Sequence, residues 1–114
     1  MLPISEIFVR FKVEGIHCWA NAPEHRSYLA TLHRHLFYIE VRCNVSHDDR
    51  EIEFHDLLDT AKSLFTGGNM GNKSCEQMAR NLATELVQRY QRSFTVEVSE
   101  DNECGAKVIV SYEI

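Results

Sequence analysis

No stretch of this chain comes near the ~18 consecutive apolar residues that a membrane-crossing helix needs, so no membrane association is expected. Positive charge is also in short supply. Twelve Lys and Arg stand against 17 Asp and Glu, a formal charge of −5 and a pI near 5.6. So acidic a chain lacks the cation surplus that displaces counterions from a nucleic acid, and no polymer partner of that kind is expected. Proline and glycine number only two and five, which excludes a collagen-like or low-complexity chain. The four cysteines, Cys18, Cys43, Cys75 and Cys104, form no C-x-x-C pair. The first residues, Met1 to Glu6, carry neither the basic nor the apolar region of a secretory signal. Reduced thiols in a cytoplasmic protein are therefore expected. What is present fits a single domain over residues 1–114: 44% of the residues are hydrophobic, enough for one core and no more.

Periodicity divides the chain into six elements. Between Ile7 and Glu14, Val9, Phe11 and Val13 alternate with Arg10, Lys12 and Glu14, the mark of a half-buried strand. An irregular stretch follows from Gly15 to Thr31. A long second strand, Leu32 to Val45, puts His33, His35, Phe37, Ile39, Val41, Cys43 and Val45 on one face. After the polar turn Ser46 to Arg50, Leu57, Leu58, Ala61, Leu64 and Phe65 recur at helical spacing within His55–Phe65. Thr66 to Asn72, with three glycines, ends that helix. Ser74 and Gln77 form a capping-box pair opening a second helix, whose core stripe is Met78, Leu82, Leu86 and Tyr90. Phe94–Ser99 and Ala106–Ile114 alternate again as strands, joined by a polar turn from Asp101 to Gly105. The order ββααββ predicts an α+β fold: a four-stranded antiparallel sheet with both helices on one face. Such a sheet has two open edges, and pairing them between subunits to close a barrel would cover them, so a homo-oligomer is expected.

Six histidines in so short a chain are the chemical signal. His33 and His35 stand at i and i+2 in a strand, so both imidazoles point to one face and can share a metal ion. His17 has the parity of Val9, Phe11 and Val13 and would meet them if the first two strands pair. Three histidines leave a tetrahedral ion one position for water or substrate. The plainer alternative is a pair of half-exposed histidines at a frayed strand end. Cys18, beside His17, is a candidate base or nucleophile if a cation lies near it, or else an inert thiol. Trp19, Tyr28 and Tyr38 offer stacking surfaces, Trp19 foremost because it is loop-borne beside His17.

Five segments, in order, resemble one family. They are Phe11 to His17, Leu32-His33-Arg34-His35, Glu53-Phe54-His55-Asp56-Leu57, Ser74-Cys75-Glu76-Gln77 and Val98-Ser99-Glu100-Asp101. They are similar to the Phe-x-x-x-His, L-H-G-H, D-F-x-x-L, T-x-E-N and V-x-E-T motifs of the 6-pyruvoyl-tetrahydropterin and 6-carboxy-tetrahydropterin synthases of the T-fold superfamily. The resemblance implies a zinc ion on His17, His33 and His35. It implies a glutamate, by position Glu100, that anchors a pterin or purine-like ring, and it adds Glu76 to the ligand-binding residues. Glu100 shares the parity of Phe94, Val96 and Val98, and a carboxylate on that face needs donors. The chain departs from the family in two places. No cysteine stands between Ser27 and Leu32, where the synthases carry a proton-transfer thiol, and Leu64 to Lys73 holds no His or Asp. Two functions follow: metal-assisted lyase or hydrolase chemistry on a pterin or purine-nucleotide ligand, or a T-fold protein that binds a purine-containing small molecule without turnover.

Overall fold

A computed structural model describes residues 3–113. Strand β1 (Ser5–His17) and strand β2 (His33–Val45) form an antiparallel pair of 13 residues each. Between them runs a 3-10 turn, Glu24–Ala30. Helix α1 (Phe54–Leu64), the two-residue strand β3 (Gly68–Asn69), helix α2 (Cys75–Tyr90), β4 (Phe94–Glu100) and β5 (Cys104–Val110) follow. The strands lie in the order β3-β1-β2-β4-β5.

Alternation decides which face is covered. Val9 in β1, Phe37, Ile39, Val41 and Cys43 in β2, and Phe94, Val96 and Val98 in β4 are all buried on one face. They pair in register: Val9 with Val41, Phe11 with Ile39, Ile39 with Val98, and Val41 with Val96. Helix α2 lies over β4 and β5 and buries Met78, Ala79, Leu82, Ala83, Leu86 and Val87, while α1 buries Leu57 and Ala61 and packs over β1. The capping box is formed: Ser74 Oγ accepts from the Gln77 amide at 3.1 Å, and Gln77 Oε1 accepts from the Ser74 amide at 2.9 Å. The opposite face of the sheet is wetted and carries ion pairs, Arg10 with Glu40 and Arg34 with Glu14 across β1 and β2, and Arg42 with Glu40 along β2.

The expected architecture needs two corrections. Among the described residues the sheet has five strands rather than four and is mixed, because β3 runs parallel to β1 through Gly15–Gly68 and Ile16–Asn69. Gly67 permits this: it has φ +75°, and a Cβ there would collide with the Glu14 carbonyl oxygen. Strand limits also shift. β1 continues to His17, past the point where apolar alternation fades, because the neighbouring strand continues to pair with it. β5 starts at Cys104 and ends at Val110, so Ser111–Glu113 are not strand, and Ile114 lies outside the described residues. No helix among the described residues is long and apolar enough to cross a membrane.

At the end of the sheet away from His17, Glu51 closes the turn after β2. Ser46 donates to it through hydroxyl and amide, and Arg92 bonds both Glu51 and the Asn44 carbonyl. The Ser46 hydroxyl, then Arg92, hold the Glu51 carboxyl down at about 2, against an ordinary 4.5.

Two stability outcomes are expected. Leu86→Ala removes a side chain with no exposure, and urea unfolding should register a loss of about 2–5 kcal/mol. The Glu51 contribution is fully present above pH 4.5 and disappears as the pH falls towards 2. Unfolding midpoints taken across that window should fall less steeply in Glu51→Gln than in the native chain, and parallel curves would refute the clamp.

Candidate metal and ligand site

The pairing register assembles the cluster. His17 lies directly opposite His33, and Gly15 opposite His35, all on the covered face. On the other side of β2, Phe37 is opposite Glu100, which puts that carboxylate diagonally next to His35. The three imidazole rings meet edge to face, with centroids 4.7, 4.9 and 5.3 Å apart. His17, His33, His35 and Glu100 each offer one ligand atom, and the four atoms lie within 4.8 Å of one another. Phe37, fully buried, stands against the rings of His17 and His35. The remaining histidines are elsewhere: His25 in the 3-10 turn, His47 beside Glu51, and His55 on α1.

The hydrogen bonds decide what the cluster can hold. His17 Nδ1 is 2.8 Å from the Lys73 carbonyl, and His33 Nδ1 is 2.9 Å from the Thr31 carbonyl. His35 Nδ1 is 2.8 Å from Asp101 Oδ2. Carbonyls and carboxylates only accept, so each Nδ1 carries a proton, and each Nε2 is the ring nitrogen left to face the shared space. Glu100 Oε2 lies 2.8 Å from the Nε2 atoms of both His17 and His35, and the contact with His17 has the geometry of a hydrogen bond. Lone pairs facing a carboxylate repel unless a proton or a cation sits among them. His35 Nε2 is off the line a hydrogen bond needs, and it is buried with no hydrogen-bond partner among the described residues. Three imidazole nitrogens and a carboxylate suit a divalent transition metal, and their backs are braced as metal-bound histidines commonly are. The Asp101 carboxyl is held below its usual range by His35 and the Leu36 amide.

A cavity of about 570 Å³ opens onto the cluster. Cys18, Trp19 and Leu29 form one wall, and Lys73, Ser74, Cys75 and Glu76 at the start of α2 form another. The loop after β1 is tied to the segment before α2 by Cys18 N–H to the Gly71 carbonyl and Ala20 N–H to Asn72 Oδ1, each 2.8 Å. Trp19 is half exposed at the mouth. The structure thus brings His17, His33, His35, Glu100, Cys18, Trp19 and Glu76 around one space; Tyr28, which is exposed, and Tyr38 do not line it. Sequence reasoning missed Asp101 and the carbonyls of Thr31 and Lys73. Carbonyls leave no trace in side-chain identity, and Asp101 reads as an ordinary turn residue.

Comparison with solved structures gives a clear relation. The chain superposes on 6-pyruvoyl tetrahydropterin synthase from Plasmodium vivax with a TM-score of 0.72 and 13% identity, covering 96% of this chain and 99% of that one. It has that enzyme's fold. Two variants of the same Plasmodium vivax enzyme, in which a catalytic glutamate is replaced by alanine or cysteine, superpose with TM-scores of 0.71 and 0.65 at 15% and 13% identity, over the same shares of both chains. No family model matches the sequence, and no curated protein matches it significantly. At such identity the relation to the synthase is one of fold, and the chemistry must be argued from the residues present.

The thiols differ in reactivity. Burial, with the Glu100 carboxylate adding to it, pushes the Cys75 thiol up to about 12. Cys43 is likewise raised by burial in the core. Cys104 is exposed. A short alkylation pulse near pH ~8, mapped by mass spectrometry, should label Cys104 first and leave Cys43 and Cys75 protected. Equal labelling of Cys75 and Cys104 would contradict this arrangement.

Proposed function

We propose that the protein binds a pterin or purine-nucleotide-type ligand in the cavity beside a zinc-type divalent metal site, and that it supports lyase or hydrolase chemistry there. One observation carries the reading: three imidazoles, each with its Nδ1 proton spoken for, turn their Nε2 atoms to one space shared with Glu100. His17, His33 and His35 would hold the ion. When bound, such an ion supplies Lewis acidity toward a substrate oxygen.

The chain's own groups do the rest. Glu100 accepts from the ring N–H and amino group of the heterocycle, which requires its carboxylate to turn from the histidines towards the ligand. Glu76, exposed on the first turn of α2, is the second acceptor for the ligand. Trp19 stacks on the ring and sheds water from the mouth. Cys18, half-buried in the cavity wall, is the candidate for holding or moving a proton. A homo-oligomer places this cavity at a subunit interface: the outer edge of β5 and the exposed Ile109 give a second copy a strand to pair with. Four free thiols accord with a cytoplasmic setting.

A second reading, ligand capture without turnover, is favoured by one specific feature. The segment between the helices is occupied by β3 and glycine turns with no His or Asp, so it brings no acid–base pair to the cavity.

Metal analysis of the purified protein should find a stoichiometric divalent ion, lost in His33→Ala and His35→Ala. Metal-free native protein would reject the proposal. Incubation with pterins and purine nucleotides then separates the readings: new product supports the enzyme, and recovered unchanged ligand supports capture. Glu100→Gln should weaken capture at least about tenfold, the loss of one charged hydrogen-bond acceptor, and unchanged affinity would dismiss Glu100 as the anchor. Light scattering at monomer mass would remove the interfacial placement.

A further inference from the structure

Asp101 touches neither the ion nor the ligand in the function proposed above, yet it makes three separate bonds to β2. Its Oδ2 meets His35 Nδ1 at 2.8 Å, its Oδ1 accepts from the Leu36 amide at 3.0 Å, and its own amide donates to the Leu36 carbonyl at 2.8 Å. Its backbone is in the left-handed region, φ 56°, a conformation that Asp tolerates better than most residues and that turns the carboxylate back across β2. It stands where the resembling motif has threonine.

We infer that Asp101 is a positioning residue: it fixes His35 in the Nδ1–H tautomer and so aims the Nε2 lone pair into the histidine cluster. The inference deepens the metal-site reading and rests on it for its functional meaning. His17 and His33 have their Nδ1 protons held by main-chain carbonyls, of Lys73 and Thr31, which no substitution removes. At His35 alone of the three, the acceptor behind the ring is a side chain, and that side chain is a full anion. An anionic partner locks the tautomer and makes the opposite nitrogen a stronger donor to a cation. With Leu36 N–H pinning one carboxylate oxygen, the other is held in place for the ring. The buried, unpartnered His35 Nε2 is the other end of the same arrangement. The lever on the site's metal affinity therefore lies outside the ligands themselves, in the turn after β4.

The test is Asp101→Asn, which keeps shape and reverses one bond. With the amide oxygen on Leu36 N–H, the amide NH2 faces His35 Nδ1, which must then accept, and the proton moves to Nε2. Zinc titration against a chromophoric chelator should show affinity lowered about 10–100-fold. In the metal-free proteins, nitrogen-15 spectra of the histidine rings should show His35 as the Nδ1–H tautomer in the native chain and shifted to Nε2–H in the variant. The His17 and His33 tautomers should stay unchanged. A proton on Nε2 of native His35 overturns the inference, and so does native zinc affinity in the variant. The native spectrum needs no substitution, so it decides even if the variant fails to fold. If native protein takes up no zinc but His35 switches tautomer as described, positioning by Asp101 stands and the metal reading falls. If zinc binds and the variant is indifferent, the metal reading stands and Asp101 loses its role.

Discussion

The register between the first two strands is the constraint on which everything else depends. Val9 against Val41, Phe11 against Ile39 and Val13 against Phe37 share one face, and the same count carried two steps further sets Gly15 against His35 and His17 against His33. A slip by one residue would turn every one of these side chains to the opposite face. Each large aliphatic or aromatic residue so exposed forfeits about 1.5–3 kcal/mol of burial, so several together hold the register firmly. The histidines take no part in enforcing it. They are carried to their places by the hydrophobic pairs further along the strands, and Phe37, at the boundary, belongs to both regions.

That arrangement makes the polar cluster dependent on apolar packing. The rings lie on Phe37, against the low-dielectric interior, with a carboxylate oxygen 2.8 Å from two ring nitrogens. Such a grouping is stable only when a positive charge shares it. A protein that needed these residues for folding alone would be better served by hydrocarbon.

Much of this was legible in the sequence. Alternation placed the four main strands and the covered face, the Ser74–Gln77 pair marked the start of α2, and the parity of His17, His33 and His35 put them on one side of the sheet. The limits of the reading have physical causes. Two residues, Gly68 and Asn69, have no periodicity to detect, and their pairing with β1 follows from glycine conformations rather than from side chains. The 3-10 turn Glu24–Ala30 buries none of its residues, so no apolar pattern announces it. The braces behind the histidines bridge 56 and 66 residues of sequence at Lys73 and Asp101, and only the finished sheet brings them together. The resemblance marks Glu100 only as a ring anchor, and its closeness to two imidazoles emerges only once β4 is set beside β2.

The two ends of the long hairpin lead separate lives. Twelve residue steps of extended chain separate Ser5 from His17, roughly 40 Å at the usual rise per residue. The Ser46–Glu51–Arg92 knot closes one extremity, and the imidazoles occupy the other. Perturbations that far apart add without cross-talk. A fluorophore, affinity handle or surface tether grafted at the knot would leave the cavity as it is, which makes that extremity the natural place from which to hold the molecule while watching what it captures.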